Sequence, residues 1–202
     1  MALVLDGTTG IVSANIADGT ISANDLASGA ITSAALPAGT VIQVNQDVLR
    51  TTIASNTGGT HVDIGLSVDT TQQKNDSKYL ISGNVFMSSN YTNMSHALIL
   101  QRKIGAGSWA DVSNAKGTDP AVGYGVTAWW AKTGADTAVG DGWQLTFEFL
   151  DTPAQASGTV VSYRIMARAY SGYMYINRSG RNNHATFDVF PISTITVKEI
   201  VA

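Results

Sequence analysis

The sequence contains no cysteine and only four prolines in 202 residues. Without thiols no disulfide framework staples the fold, and no thiolate site holds a metal. The chain must hold itself by packing or by association with other chains. Charge is also scarce. Asp, Glu, Lys and Arg make up 13% of residues, about half the usual share. Lys and Arg number 12 against 15 Asp and Glu, a net charge of -3. The first basic residue is Arg50. A basic patch or arm that grips nucleic acid is therefore not expected. Long apolar runs are missing too, and no stretch approaches the roughly 18 residues that argue for a membrane span. The opening MALVLDG has no basic residue and only a short apolar run, so we expect no secretion signal there.

What is present favours β-structure. Hydrophobic residues reach 44% and glycines number 20. A packed core is possible, and low charge with many small polar residues suits strands and tight turns better than solvated helices.

The first forty residues carry an internal repeat. Glycines stand at Gly10, Gly19, Gly29 and Gly39. Ile11, Ile16, Ile21, Leu26, Ile31, Leu36 and Val41 follow one another at a constant spacing of five. On an α-helix five residues advance about 500°, so these positions form no stripe. On a plain strand an odd spacing alternates faces. The chain must bend between apolar positions, and the glycines with neighbouring Asp, Ser and Asn allow it. A solenoid needs at least about three stacked units to bury its core, and this segment is too short to supply them. The row of seven therefore predicts burial against identical partners. We assign residues 1–39 to an oligomerising stem and residues 40–202 to a head.

From residue 40 the period becomes two. Val62, Ile64, Leu66 and Val68 share one face of HVDIGLSVD. Trp143, Leu145, Phe147 and Phe149 share one face of WQLTFEFL, and Val161, Tyr163, Ile165, Ala167 and Ala169 one face of TVVSYRIMARAY. In YGVTAWWAK the apolar face carries Tyr124, Val126, Ala128 and Trp130. Each pattern predicts a half-buried antiparallel strand. Further strands are expected at 40–45, 48–54, 78–88, 96–104, 109–113, 173–177 and 192–200. LILQRKI and WADVS form a hairpin around Gly105 and Gly107. No window reads as a helix. About ten strands at this spacing predict an all-β, antiparallel, jelly-roll-like sandwich.

Residues of catalytic type are thin. His61, His96 and His184 are isolated, with no metal-ligand spacing among them, and His61 falls on the polar face of its strand. No nucleophile elbow, zinc-protease, phosphate-loop or dinucleotide pattern occurs. Glu148 and Asp63 alternate onto solvent faces, so no acid pair of glycosidase type is visible. Asp136 and Asp141 share a loop but form no EF-hand pattern. No catalytic residue, metal site or cofactor is expected, and the chain reads as a non-enzyme.

Aromatic residues carry the remaining interest. Trp129 and Trp130 are neighbours and must face opposite sides of their strand, leaving Trp129 outward. A neighbouring subunit, a sugar or a loop can cover it. Tyr170, Tyr173 and Tyr175 cluster around Ser171-Gly172 and precede Asn177, Arg178 and Arg181. Aromatics beside Asn and Arg suit a sugar-contacting surface and equally a subunit interface.

The opening MALVLDGTTGI, the repeat ISANDLASGAITSAALPAGTVIQV and the pieces LILQRKIGAGSWADVS, SYRIMARAY, YINRSG and STITVKEIVA resemble small virion proteins of tailed bacteriophages, especially those of aquatic bacteria. The resemblance spans essentially the whole chain and rests on packing patterns. It implies a homotrimer with a repeat stem and a β-sandwich head, located on the tail or the capsid exterior. Such a protein leaves its cell inside a virion and needs no secretion signal. Two roles follow: a short tail fibre whose head contacts a host surface polysaccharide or protein, or a capsid decoration protein. In either role the stem engages other virion proteins. A polysaccharide-degrading spike would need a clustered acid pair or a long β-helix, and neither is evident.

Overall fold

A computed structural model describes residue 22 and residues 35–89, 94–117, 126–132, 142–170, 172–180 and 190–202. The chain divides into two units, Met1–Leu36 and Pro37–Ala202. Stem positions Ile11, Ile16, Ile21, Leu26 and Ile31 lie outside the described residues, as do Arg181, His184, Tyr124, Asp136 and Asp141.

The larger unit is built from β1 (Val41–Leu49), β2 (Ile53–Asn56), β3 (Val62–Thr71), β4 (Lys78–Ser89), β5 (Met94–Ile104), β6 (Ala110–Asp111), β7 (Ala128–Lys132), β8 (Gly142–Asp151), β9 (Val160–Ala169), β10 (Tyr173–Ile176) and β11 (Ser193–Ile200). All pairings are antiparallel. One sheet runs β1-β11-β4-β8, with β10 continuing the edge of β4 beyond β11 and β2 pairing with β10. The other runs β3-β9-β5, with β6 and β7 sharing the far edge of β5. Four pairs nest: β1 with β11, β3 with β9, β4 with β8, and β5 with β7. Nested pairs of this order are a long hairpin rolled upon itself, so the head is a jelly roll.

The alternation read from the sequence accounts for the core. Ile64, Leu66 and Val68, Leu145, and Val161, Tyr163, Ile165, Ala167 and Ala169 all point inward and are buried. They meet Tyr79, Ile81, Val85 and Met87 from β4 and Ile195 and Val197 from β11. Burying each such large side chain contributes about 1.5–3 kcal/mol. In β3, Val62 faces Ala167 while Leu66 faces Ile165. The bulge thus inserts two extra residues, an even number, and the apolar face stays inward. Gly65, with φ of +72°, makes the turn, and Asp63 Oδ1 accepts from its N–H at 2.8 Å.

Two expected boundaries differ. The strands anticipated at 40–45 and 48–54 are one strand through Leu49, then a break and β2. Unbroken pairing from Val44–Lys198 to Leu49–Ser193 carries β1 across the expected gap. Asn177 holds the break itself: its Nδ2 donates to the carbonyls of Leu49 at 2.7 Å and Thr51 at 3.1 Å. Val41, the last member of the five-residue register, opens β1 and pairs with Ile200. Leu36 is half-buried. The hairpin around Gly105 forms as expected, with Gln101 opposite Asp111 and Arg102 opposite Ala110.

Candidate functional site

Two carboxylates that sequence reasoning missed lie inside the sandwich. Asp151 and Glu199 sit opposite Tyr79, one on each neighbouring strand. Each is committed to internal donors. Asp151 Oδ2 accepts from Arg102 at 2.5 Å and from the Tyr163 hydroxyl at 2.7 Å. Glu199 Oε1 accepts from the backbone N–H groups of Gln73 at 2.7 Å and Lys74 at 3.2 Å. Burial, reinforced by Asp151, pushes the Tyr163 phenol above its ordinary range. These groups pin the 72–77 turn and the end of β8, and they arise where the inward positions of β8 and β11 reach the sandwich edge.

The histidines are also less solvated than their positions suggested. His61 has a buried Nε2 without a partner among the described residues. Burial first, then Arg168, lower it to about 4, against the pull of Asp111. His96 is fully buried, and burial lowers it to about 4 against the pull of a backbone hydrogen bond at Ser88. No group of three metal-ligating side chains gathers among the described residues.

Aromatic residues form two exposed surfaces. The first follows the edge where β7 approaches β8. Trp129 faces outward and is 63% exposed. Trp130 faces inward, stacked on His96 at 5.3 Å and 17°. Trp143, read from the sequence as a core residue, is 52% exposed. It pairs with Met87 near the end of β4, so it stands at the mouth of the sandwich and not within it. Its ring lies 5.4 Å from Trp130. Between these strands is a cleft of about 320 Å³.

The second surface holds the tyrosines. Tyr170 is 72% exposed and borders a depression with Gly58, Gly59 and Arg168. Tyr173 is exposed and stacks on Tyr175 at 6.2 Å and 11°. Tyr175 is itself buried, with the Arg178 guanidinium 4.1 Å over its ring. Asn177 does not belong to this surface. It is fully buried, and its hydrogen bonds close the end of the sheet. Of the expected contact group, Trp129, Tyr170 and Tyr173 are exposed, Arg178 is half-buried, and Tyr175 and Asn177 are buried.

The outer faces of the two sheets differ in charge. On the β3-β9-β5 sheet, Arg164 bonds Asp63 at 2.7 Å, and Arg164 and Lys103 both lie over Trp109. On the β1-β11-β4-β8 sheet, the strand registers align Val44, Lys198, Leu80 and Leu150 in one row. Gln46, Thr196, Ser82 and Glu148 form the next, and Val48, Thr194, Asn84 and Thr146 the third. Twelve positions carry two charges, and Val44 is 58% exposed. No helix among the described residues is long and apolar enough to cross a membrane.

The fold and surfaces together define an all-antiparallel jelly-roll domain with exposed aromatic edges. The sequence matches no protein-family model and no curated protein. Among solved structures the chain is similar to one from the infectious bursal disease virus Gx strain, with TM-score 0.41, 10% identity, and coverage of 79% of this chain and 41% of that one. It is also similar to the Eiger TNF from S. frugiperda, with TM-score 0.34, 9% identity, and coverage of 74% of this chain and 93% of that one. The chain thus spans about two fifths of the viral chain it matches.

Proposed function

We propose that this chain is a virion structural protein of tailed-phage type. The N-terminal repeat assembles with two further copies and engages other virion proteins, and the jelly-roll head displays an attachment surface. In this reading the protein is a short trimeric tail fibre that contacts a host surface polysaccharide or protein. It works by binding and not by catalysis, without a cofactor, a nucleic-acid partner or membrane insertion.

The observation that carries the reading is the unbroken five-residue apolar register that ends in the first strand of the head. Such a row has no solitary regular structure and is satisfied by copies around a common axis. The charge-poor face of β1-β11-β4-β8 supports close approach of copies, because charged residues are depleted from interface cores. The attachment role is supported by Trp129, Trp143 and Tyr170, large side chains left in water by a core that is already complete. Asp151 and Glu199 support the non-catalytic reading, since both are held by internal donors.

A capsid decoration protein is the second reading. It is favoured by the charge-poor face of β1-β11-β4-β8, which suits a head laid against a capsid surface. Gold-labelled antibody against the head, viewed on intact particles, separates the two. Label confined to the tail supports the fibre. Label spread over the head supports decoration and overturns the fibre.

A further inference from the structure

We infer that the cleft between β7 and β8 is a binding site for a neutral saccharide ring, stacked on the exposed Trp143 indole with Trp129 at the rim. The inference deepens the attachment reading above and rests on it. Three properties of the cleft lead there.

The first is its aromatic wall. Trp129 and Trp143 are the two most exposed tryptophans that line it, and the Trp130 ring meets that of Trp143. A pyranose ring presents a flat face of C–H bonds, which packs on the negative face of an indole. The wall is also braced. His96 stacks behind Trp130 at 5.3 Å, and Trp130 meets Trp143 at 5.4 Å. His96 is fully buried there, and a neutral imidazole is the form that packs.

The second property is polarity without charge. Gln144 and Thr146 supply hydroxyl and amide groups to the lining, the Thr127 hydroxyl accepts from the Leu100 N–H at 2.9 Å, and among the described residues none that lines the cleft is ionisable. Hydroxyl and amide groups match sugar hydroxyls, acting as donors or acceptors. An anionic sugar or a phosphate would find no counterion among the described residues of the lining. A stacked nucleotide is disfavoured on the same ground, because nucleic-acid binding rests on phosphate neutralisation.

The third is size. At about 320 Å³ the cleft sits at the lower end of the roughly 300–1,000 Å³ typical of small-ligand sites. It admits one ring of a glycan.

The test uses the full chain on a glycan array with neutral hexose, deoxyhexose and N-acetylhexosamine termini beside acidic ones. Binding to a set of neutral termini is expected. Trp143→Ala should weaken it at least about tenfold, the effect of losing one stacking platform. Trp143→Phe should retain most of it, and Trp109→Ala, which alters a tryptophan under Lys103 and Arg164, should leave it unchanged. Binding confined to acidic termini, or unaltered in a folded Trp143→Ala protein, overturns the site. So does a Trp143→Ala protein that changes its oligomeric state while the wild type binds no glycan, because the cleft is then a subunit contact. Host-cell binding that survives Trp143→Ala overturns the cleft but leaves the attachment reading standing. A wild-type protein that binds glycans but no host cell overturns the attachment reading alone.

Discussion

The hydroxyl of Ser193 donates to Oδ1 of Asn177 across 2.6 Å, in the buried interior of the head. Ser193 Oγ also accepts from the Phe86 N–H at 3.1 Å, and the Asn177 N–H donates to the Phe86 carbonyl at 3.2 Å. Asn177, through its side chain and its backbone N–H, and Ser193 thus tie the end of β10 to β11, β4 and the end of β1. Asn177 adopts a left-handed φ of +56° to do so, a conformation that Asn tolerates better than most residues.

Asn177→Gly should therefore be costly even though glycine suits the backbone. It strands the buried Ser193 hydroxyl and the half-buried Leu49 carbonyl, and releases the carbonyl of the exposed Thr51 to water. Leaving such buried groups unpaired costs about 1–3 kcal/mol each, and a total near 3 kcal/mol corresponds to a fall in Tm of roughly 6–12 °C for a domain of this size. Thermal denaturation followed by circular dichroism reads it. A shift under about 2 °C would show that the network is not needed.

Gly83 and Phe147 make a second pair. A Cβ on Gly83 would lie 2.1 Å from the Phe147 ring, so the half-buried ring must move. Gly83→Ala should cost about 1–3 kcal/mol through overpacking. Adding Phe147→Leu should recover part of that loss, and a double-mutant cycle in urea measures the recovery. Strict additivity of the two changes would contradict the contact.

The two lowered histidines set a pH dependence. Burial holds His96 to about 4 in the folded head against an ordinary value of 6.5. The unfolded chain therefore binds this proton first, and stability is full above about 6.5 and falls as pH drops toward 4. For the fully buried His96 the loss is on the order of 3 kcal/mol. His61 moves in the same direction. Urea midpoints between pH 7 and 4 should fall, and His96→Phe should flatten the slope. An unchanged slope in that variant would contradict burial of a neutral His96.

Much of this was legible from residue patterns. Strict alternation in HVDIGLSVD and TVVSYRIMARAY placed Leu66 and Tyr163 on the core face, because one buried face fixes the register. The nested pairing was not legible, since alternation says which side a residue faces and nothing about its partner strand. Asp151 and Glu199 were missed for a related reason. Inward positions at strand ends look like core positions, and only the turn at 72–77 and the reach of Arg102 supply their donors. Trp143 was misplaced for the converse reason: it keeps the inward phase but lies beyond the cover of the opposite sheet. Asn177 looked like a surface loop residue because Asn favours turns. The turn is real, but it is folded inward.

The stem gives a prediction of its own. Ile21→Asp would place one carboxylate per copy on an apolar axis, repeated by symmetry. Burying such an ion costs several kcal/mol, so the assembly should dissociate while the head keeps its melting transition. Size-exclusion chromatography beside circular dichroism reads both. An intact assembly in this variant would place Ile21 outside the contact.

Self-assembly through the stem is the central claim, and sedimentation equilibrium tests it most directly. One chain has a mass of 21.2 kDa. The full chain is predicted to sediment at about 64 kDa, three copies, and a chain lacking residues 1–38 should dissociate at markedly higher concentration. A full chain that sediments as a monomer at micromolar concentration would contradict the account.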